Sequence, residues 1–241
     1  GISYPKAISL LSNNINKPND LLAISYIKSI IINNYSITPI SIKRTNDYHG
    51  KDYITNNIIS GTTIRTMYNN NEDIDKYLPT KDYLIKVNDQ KIFTLLKYQI
   101  LTNINCLAKF LSVDEGLDYR IKKNIYNSTN LEDLIAKVKT KRYTYNRLKR
   151  MFTHILLSLT KEEIKYNKKL EYIKILGFNE QGRKYLHSIK KEIKLPIIYG
   201  YQKNLSKSLD IDFRIKSIYS YIVNDTSIIE NELNKKPIYK N

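Results

Sequence analysis

The sequence predicts a mainly α-helical protein, in which residues 1–70 are the end of an alternating α/β domain and residues 71–241 are an all-α domain. Its composition is that of a globular chain, because 41% of the 241 residues are hydrophobic and only 7 Gly and 6 Pro interrupt them. Apolar residues recur at helical spacing through most of the second part. In the first part, one short segment with strand-like alternation stands between two helical patterns, an order typical of α/β domains.

The first predicted helix spans residues 20–33. It opens after Pro18-Asn19-Asp20, carries an apolar stripe with a period near 3.6, and ends at Asn33-Asn34. Residues 37–43 then predict a short strand. Because one strand cannot form a sheet, and the chain starts at Gly1 without Met, we expect the partner strands in a missing N-terminal half.

The helical period dominates beyond residue 71. Thr129 and Glu132 form a predicted capping box that opens a helix ending near Val138. Gly177 fits a helix end and Asn179 the start of the next helix. The most regular spacing lies between Leu148 and Leu159, so one face of that helix should be buried. The other predicted helices span residues 92–111, 179–196 and 205–223, before a polar and loose tail.

The sequence excludes several classes of protein. Cys106 has no partner for a disulfide, and its apolar surroundings predict a small core residue in a reducing cytosol. Apolar runs stop well short of the roughly 18–20 residues that cross a bilayer, so we expect no membrane association. The three His residues are isolated in sequence, which predicts neither a metal site nor a catalytic triad.

The charge predicts an anionic partner. Lys and Arg number 40 against 23 Asp and Glu, a net charge of +17. The chain is also crowded with Ile, Asn, Lys and Tyr, a bias that genome base composition can produce. The positions of the charges are therefore more informative than their total.

A first candidate site is the segment Ile59-Ser60-Gly61-Thr62-Thr63-Ile64-Arg65. A Ser N-cap opens a helix here, with hydroxyls in the first turn and an Arg one turn later. Free backbone N–H groups, the helix dipole and these side chains are all suited to phosphate. Ser-capped helices with Thr in the first turn are common, so a plain helix cap remains the alternative.

Two further positions lie near where an α/β domain would bind a nucleotide. Asn19 stands at the start of the first helix, and Arg44 follows the predicted strand, beyond whose carboxyl end ligands collect. Tyr48-His49 could add an aromatic face and an imidazole. An ordinary helix cap and surface side chains explain these residues equally well.

A second candidate site is the stretch from Lys137 to Arg150, which we call the basic segment. It contains seven cations and no carboxylate, with Tyr143 and Tyr145 between them; the cations are Lys137, Lys139, Lys141, Arg142, Arg147, Lys149 and Arg150. Cations neutralise phosphates, and aromatic rings offer a face for an unstacked base, so this stretch favours RNA contact. A solvated charge run is the alternative.

Taken together, these blocks resemble the bacterial tRNA(Met) cytidine acetate ligases, a branch of the nucleotidyltransferase superfamily. The resemblance spans almost the whole chain; its blocks are Ser3-Tyr4-Pro5-Lys6-Ala7, residues 17–26, Lys43-Arg44 with Tyr48-His49, residues 59–65, Asp114-Glu115-Gly116-Leu117, Lys139-Thr140-Lys141-Arg142-Tyr143-Thr144 and Leu176-Gly177-Phe178-Asn179. It implies the tail of a Rossmann-like nucleotidyltransferase domain followed by a helical domain. It also implies activation of acetate by ATP to acetyl-adenylate, and acetylation of the wobble cytidine of elongator tRNA-Met.

The resemblance further implies residue roles. Asn19, Arg44, Ser60, Thr62 and Arg65 would bind ATP, which would bring Mg²⁺ from solution. The tRNA-binding residues are expected from the charge pattern of the basic segment and not from the resemblance; they are Lys139, Lys141, Arg142, Tyr143, Arg147 and Arg150.

The chain departs from the family in two ways. The N-terminal HxGH-type signature is absent, and Gly61 stands where the turn usually carries Ser or Ala. We therefore expect this chain alone to be inactive. A non-catalytic helical RNA-binding or adaptor module is the alternative function.

Overall fold

The structure, a computed structural model, describes residues 10, 18–42, 59–78, 85–166 and 169–240. The chain divides into two compact units, residues 1–86 and 87–241. The expected assignment of residues 1–70 to nucleotide binding and of residues 71–241 to tRNA binding stays a prediction.

The main elements in the described part of the first unit are α1 (Pro18–Ile32) and α2 (Gly61–Asn69), followed by a short 3₁₀ helix at Asp75–Tyr77. Helix α1 begins with Pro18, whose missing N–H costs nothing in a first turn, and carries Asp20 at the positive end of the dipole. It ends where Asn34 adopts a left-handed conformation (φ 51°). Several of its apolar side chains are exposed, among them Ile31 at 67%.

The strand predicted at residues 37–43 is wrong for the residues described. Residues 37–42 form no regular structure, and Lys43 lies outside the described part. Ile40 and Ile42 are 87% and 92% exposed. Alternating Ile residues make a strand only where a neighbouring strand accepts their hydrogen bonds, and the described part of this unit supplies none.

The described part of the second unit consists mainly of helices and also contains four short strands that pair in parallel. In chain order its elements are α3 (Asp89–Thr102), α4 (Leu117–Asn124), α5 (Leu131–Val138), α6 (Tyr145–Leu156), α7 (Lys161–Tyr166), β1 (Ile173–Lys174), β2 (Gly177–Asn179), α8 (Glu180–Ile189), β3 (Ile197–Ile198), α9 (Lys207–Val223), α10 (Ser227–Leu233) and β4 (Ile238–Lys240).

Helices α3 to α6 enclose one hydrophobic core. Ile100, Ile121, Leu134, Leu148 and Ile155 are each fully buried there. The buried face of α6 confirms the prediction from the regular spacing of residues 148–159. The side chains on the opposite face of α6, including most of its cations, remain in solvent.

The sequence predicted an all-α domain, but the C-terminal part of this unit also contains strands. Strand β1 pairs in parallel with β3, and β2 pairs in parallel with β4. Gly177 thus begins a strand rather than ending a helix, and the expected loose tail folds into α10 and β4. Strands of two or three residues are too short to show an alternating pattern.

Three local predictions also need correction. The helix predicted over residues 92–111 ends at Thr102, where the chain turns into a short 3₁₀ helix at Leu107–Lys109. Cys106 lies in that turn and is exposed rather than buried. The cap of α5 is one residue later than predicted: Asn130 Oδ1 accepts the N–H of Asp133 at 2.8 Å.

Candidate phosphate turn and basic surface

The first turn of α2 has the donors that an anion site needs. Ser60 is its N-cap, in extended conformation, and Ser60 Oγ accepts the backbone N–H of Thr63 at 3.1 Å. The two hydroxyls of Ser60 and Thr63 also bond to each other at 2.9 Å. The N–H groups of Gly61 and Thr62 have no acceptor among the described residues. They therefore point free donors along the positive end of the helix dipole.

Arg65 folds back toward this turn. Its Nη2 donates to Thr62 Oγ1 at 3.3 Å. A Cβ on Gly61 would lie 3.6 Å from Arg65 Nη1, which places the guanidinium beside the first residue of the helix. The structure thus brings together three of the sequence-predicted residues: Ser60, Thr62 and Arg65. We call this arrangement the phosphate turn.

The other two predicted nucleotide-binding residues are not joined to it. Asn19 is exposed in the first turn of α1, and among the described residues no hydrogen bond links it to the phosphate turn. Arg44 lies outside the described residues, as do Tyr48 and His49.

The basic segment spans the junction between α5 and α6. Arg120 anchors its start, donating to the carbonyl oxygens of Val138 at 2.8 Å and Lys137 at 3.1 Å. Thr144 anchors the end of the loop between α5 and α6 as the N-cap of α6, accepting the N–H of Arg147 at 3.3 Å. Both ends of the loop between α5 and α6 are therefore held by hydrogen bonds, which fixes the backbone that carries the cations.

Carboxylates from elsewhere in the unit neutralise part of this charge, contrary to the expectation from sequence. Three cations are paired: Lys137 with Asp133 at 2.7 Å, Arg142 with Glu115 at 3.1 Å, and Lys149 with Glu132 at 3.9 Å. Four are exposed and have no carboxylate partner among the described residues: Lys139, Lys141, Arg147 and Arg150. These four carry the net positive charge of the surface.

Tyr143 does not offer the stacking face that the sequence predicted. Its side chain is 4% exposed, and its hydroxyl donates to Glu115 Oε2 at 2.8 Å. Burial, and then the bond to Glu115, raise the pKa of Tyr143 above its ordinary value. Arg147 covers one face of the ring, 4.6 Å from its centroid. Tyr143 is thus a buried support for the surface, which corrects its proposed role.

The hydroxyl of Tyr145 is also used in a hydrogen bond within the protein. It donates to Glu132. Burial, followed by that bond, raises the pKa of Tyr145 to about 12. The ring lies 5.8 Å from Lys149 Nζ, so this cation is held between a carboxylate and an aromatic face. Within the basic segment, the cations available to an anionic partner are therefore the unpaired four.

Glu115 is the residue that sequence reasoning missed. It belongs to the block Asp114-Glu115-Gly116-Leu117, where Glu115 and Gly116 both adopt positive φ, at 51° and 80°. One carboxylate oxygen takes both the Tyr143 hydroxyl and the Arg142 guanidinium. The neighbouring Asp114 pairs with Lys161 at 2.6 Å. Two blocks far apart in sequence are thereby fixed to one another.

Comparison with known proteins supports the resemblance seen in the sequence. The family model described as HIGH Nucleotidyl Transferase matches residues 1–235. A tRNA(Met) cytidine acetate ligase of Bacillus cereus is 32% identical over 269 residues, covering 99% of this chain and 68% of the relative. The chain belongs to the tRNA(Met) cytidine acetate ligase family.

Other relatives with the same description are similar over less of their length. The ligase of Anoxybacillus flavithermus is 35% identical over 222 residues, covering 82% of this chain and 55% of the relative. That of Clostridium perfringens is 36% identical over 231 residues, covering 91% of the chain and 57% of the relative. The chain thus spans little more than half the length of these members of the ligase family.

Solved structures show the same fold. Thermotoga maritima TmcAL superposes with a TM-score of 0.76 at 23% identity, covering 99% of this chain and 67% of that one. A second structure, TmcAL bound with alpha-thio ATP, gives a TM-score of 0.73. The helix-rich architecture with short parallel strands therefore matches the fold of the ligase family.

Two further observations concern the described residues alone. They contain no group of three His, Cys, Asp or Glu side chains placed to hold a metal ion. Among the helices that the structure describes, none has the length and apolar character needed to cross a membrane.

Proposed function

We propose that the chain is part of an ATP-dependent ligase that activates acetate as acetyl-adenylate and acetylates the wobble cytidine of elongator tRNA-Met. The observation that carries this proposal is kinship with ligases of that description over 99% of the chain. The phosphate turn and the four unpaired cations of the basic segment supply the chemistry for its two anionic substrates. The assignment of ATP to the phosphate turn and of tRNA to the basic segment goes beyond family membership, and each is tested separately below.

The phosphate turn is suited to the triphosphate of ATP. It combines free N–H groups, the positive end of α2 and the guanidinium of Arg65, all at the first turn. Mg²⁺ commonly reaches such sites on the phosphates of its nucleotide, with few protein ligands. The guanidinium of the turn fits phosphate oxygens rather than the cation. We therefore place Mg²⁺ with the nucleotide.

The reaction needs no nucleophilic side chain. An acetate oxygen attacks the α-phosphate of ATP, pyrophosphate leaves, and the exocyclic amine of cytidine then attacks the acetyl carbon and releases AMP. Catalysis in such steps rests on positioning and on stabilising charge at the phosphates. A wobble base already lies in a single-stranded loop, so its amine is accessible to the adenylate.

The basic segment is suited to the tRNA backbone. Lys139, Lys141, Arg147 and Arg150 are exposed and have no carboxylate partner among the described residues. The first two lie on a loop whose ends are anchored by Arg120 and Thr144, and the last two lie in the first half of α6. A fixed array of cations loses less conformational freedom on binding than a mobile one. Phosphate contacts of this kind position the nucleic acid, whereas base contacts specify it.

Calorimetric titration with ATP tests the phosphate turn. Replacing Arg65→Ala removes one charged donor, worth roughly 1.5–3 kcal/mol, so the Kd for ATP should rise about 10- to 100-fold. Arg150→Ala is the matched control, because it removes an exposed Arg from the basic segment and should leave the Kd unchanged. An equal Kd for wild type and Arg65→Ala would reject the assignment.

Isotope exchange, measured with the whole ligase of which the chain is proposed to be part, tests the activation step. Labelled pyrophosphate should enter ATP only when acetate is present, because reversal of acetyl-adenylate formation requires the adenylate. The exchange should need no tRNA. Exchange without acetate, or exchange that depends on tRNA, would contradict the proposed order of steps.

A further inference from the structure

A concave site lies in the C-terminal part of the second unit, away from the basic segment in sequence. It is a cavity of about 360 Å³ between β2, α8 and β3. Its floor includes Ile197 of β3. The other side chains that line it are aromatic, basic or, in one case, aliphatic; they are Phe178, Arg183, Leu186, His187, Lys190 and Tyr199.

The block Leu176-Gly177-Phe178-Asn179 builds this pocket. A Cβ on Gly177 would lie 2.7 Å from the carbonyl oxygen of Ile238, so glycine lets β2 lie directly against β4. Phe178 then packs edge-to-face on Tyr239, with ring centroids 5.9 Å apart. This pairing fixes the position of one aromatic wall.

Helix α8 supplies the second wall. Asn179 caps it, accepting the N–H of Gly182 at 2.9 Å. A Cβ on Gly182 would lie 3.1 Å from Phe178 Cβ, so this glycine allows the helix to approach the aromatic wall closely. The residues at i, i+3, i+4 and i+7 from Arg183 share one helix face and all line the cavity.

The charge of the pocket is positive. Arg183 shares the carboxylate of Glu180, at 3.1 Å, with Tyr239, whose hydroxyl donates to the same group at 3.0 Å. His187 and Lys190 are exposed and have no carboxylate partner among the described residues. At least one cation at the rim is therefore free to meet an anion.

Aromatic faces beside free cations suit a flat base attached to a phosphate. Tyr199 is 41% exposed, so part of its ring is open to a ligand. A cavity of about 360 Å³ lies at the small end of ligand pockets, room for one nucleotide rather than for a duplex. Stacking on aromatic rings tolerates any base, because every base has a π-face.

We propose that this pocket binds one unstacked nucleotide of the RNA substrate, with its base against Tyr199 and His187 and its phosphate at Lys190. The inference rests on the proposed function, in which RNA is a substrate. It adds a second contact that recognises single-stranded character, whereas the basic segment contacts backbone phosphates.

Fluorescence anisotropy with two RNA probes tests the pocket. One probe is an unstructured ten-nucleotide RNA, and the other is a ten-base-pair RNA duplex. His187→Ala and Tyr199→Ala should each weaken binding of the unstructured RNA about 10-fold, the lower range for loss of a stacked base. Binding of the duplex should not change.

Matched variants of neighbouring residues in the chain serve as controls. Tyr185 is 64% exposed and does not line the cavity, so Tyr185→Ala should bind both probes as the wild type does. Lys190→Gln should weaken binding of the unstructured RNA more than Lys191→Gln does. Thermal melting of each variant verifies that the fold is retained.

Several outcomes would overturn the inference. Unchanged affinity in His187→Ala and Tyr199→Ala would do so, as would an equal loss for the duplex. Competition by free AMP at concentrations matching the affinity of the unstructured RNA would indicate a site for free nucleotides instead. Variants of the basic segment, measured with tRNA, separate the two proposals. If only these variants leave the affinity for tRNA unchanged, the tRNA surface is rejected. If only the pocket variants leave the affinity for the unstructured RNA unchanged, the pocket is rejected.

Discussion

Neutralising the unpaired cations of the basic segment should abolish most of the affinity for tRNA. The triple variant Lys141→Gln, Arg147→Gln and Arg150→Gln removes three of the four cations that have no carboxylate partner among the described residues. Two unit charges 4 Å apart in water interact by about 1 kcal/mol. Losing three such contacts costs about 3 kcal/mol, or roughly 100-fold in Kd. Filter binding with an elongator tRNA-Met transcript measures this change.

The salt dependence of binding gives an independent value from the same experiment. Each phosphate contact contributes about 0.7–0.9 to the slope of log K against log salt, so the triple variant should have a slope shallower by roughly 2–3. All three side chains are exposed, and such substitutions usually change the free energy of unfolding by less than about 0.5 kcal/mol. Circular dichroism should therefore show unchanged helicity.

A control variant removes the same charge elsewhere. Lys169, Lys203 and Lys236 are exposed and have no carboxylate partner among the described residues. Their joint replacement by Gln should change affinity much less than the triple variant does. Equal losses of affinity in the two variants would show that tRNA binding depends on the total charge and not on the basic segment.

Stability supplies two more predictions. Glu232 is 4% exposed and pairs with two lysines, so Glu232→Gln should lower the free energy of unfolding in urea by about 3–5 kcal/mol. Burial alone would raise the pKa of Glu232, but its lysine partners outweigh burial and hold the pKa below its usual value. The contribution is therefore complete above about pH 4.3, the unfolded value, and is lost as the pH falls through the folded pKa. The difference between wild type and variant should shrink in acid; a difference that stays constant down to pH 3 would contradict the ion-pair account. Gly177→Ala should lower the free energy of unfolding by about 1–3 kcal/mol, because its Cβ meets the Ile238 carbonyl oxygen at 2.7 Å. Gly61→Ala, whose Cβ would meet only an ordinary contact at 3.6 Å, should change it little, and similar effects of the two changes would argue against the close approach of β2 and β4.

Local signals in the sequence predicted the parts of the fold that local physics decides. The regular apolar spacing of residues 148–159 identified α6, and the caps at Ser60 and Asn179 were found because a side-chain oxygen at a helix start has few other roles. The phosphate turn was predicted for the same reason: its donors are adjacent in sequence.

Tertiary contacts account for what the sequence did not predict. Tyr143 and Glu115 are 28 residues apart, so nothing near Tyr143 shows that its ring is buried and its hydroxyl bonded. The carboxylates that neutralise Arg142 and Lys149 likewise come from other parts of the unit. Charge counted along the chain therefore overstated the number of free cations in the basic segment.

The most direct test of whether the basic segment contacts tRNA is ultraviolet crosslinking. An elongator tRNA-Met transcript is crosslinked to the protein, and the crosslinked peptides are identified by mass spectrometry. Tyrosine and lysine side chains near the RNA would carry the crosslinks. If the basic segment binds tRNA, crosslinked peptides should come from residues 139–150 and should disappear in the triple variant. Crosslinks confined to other segments, with none between residues 139 and 150, would contradict it.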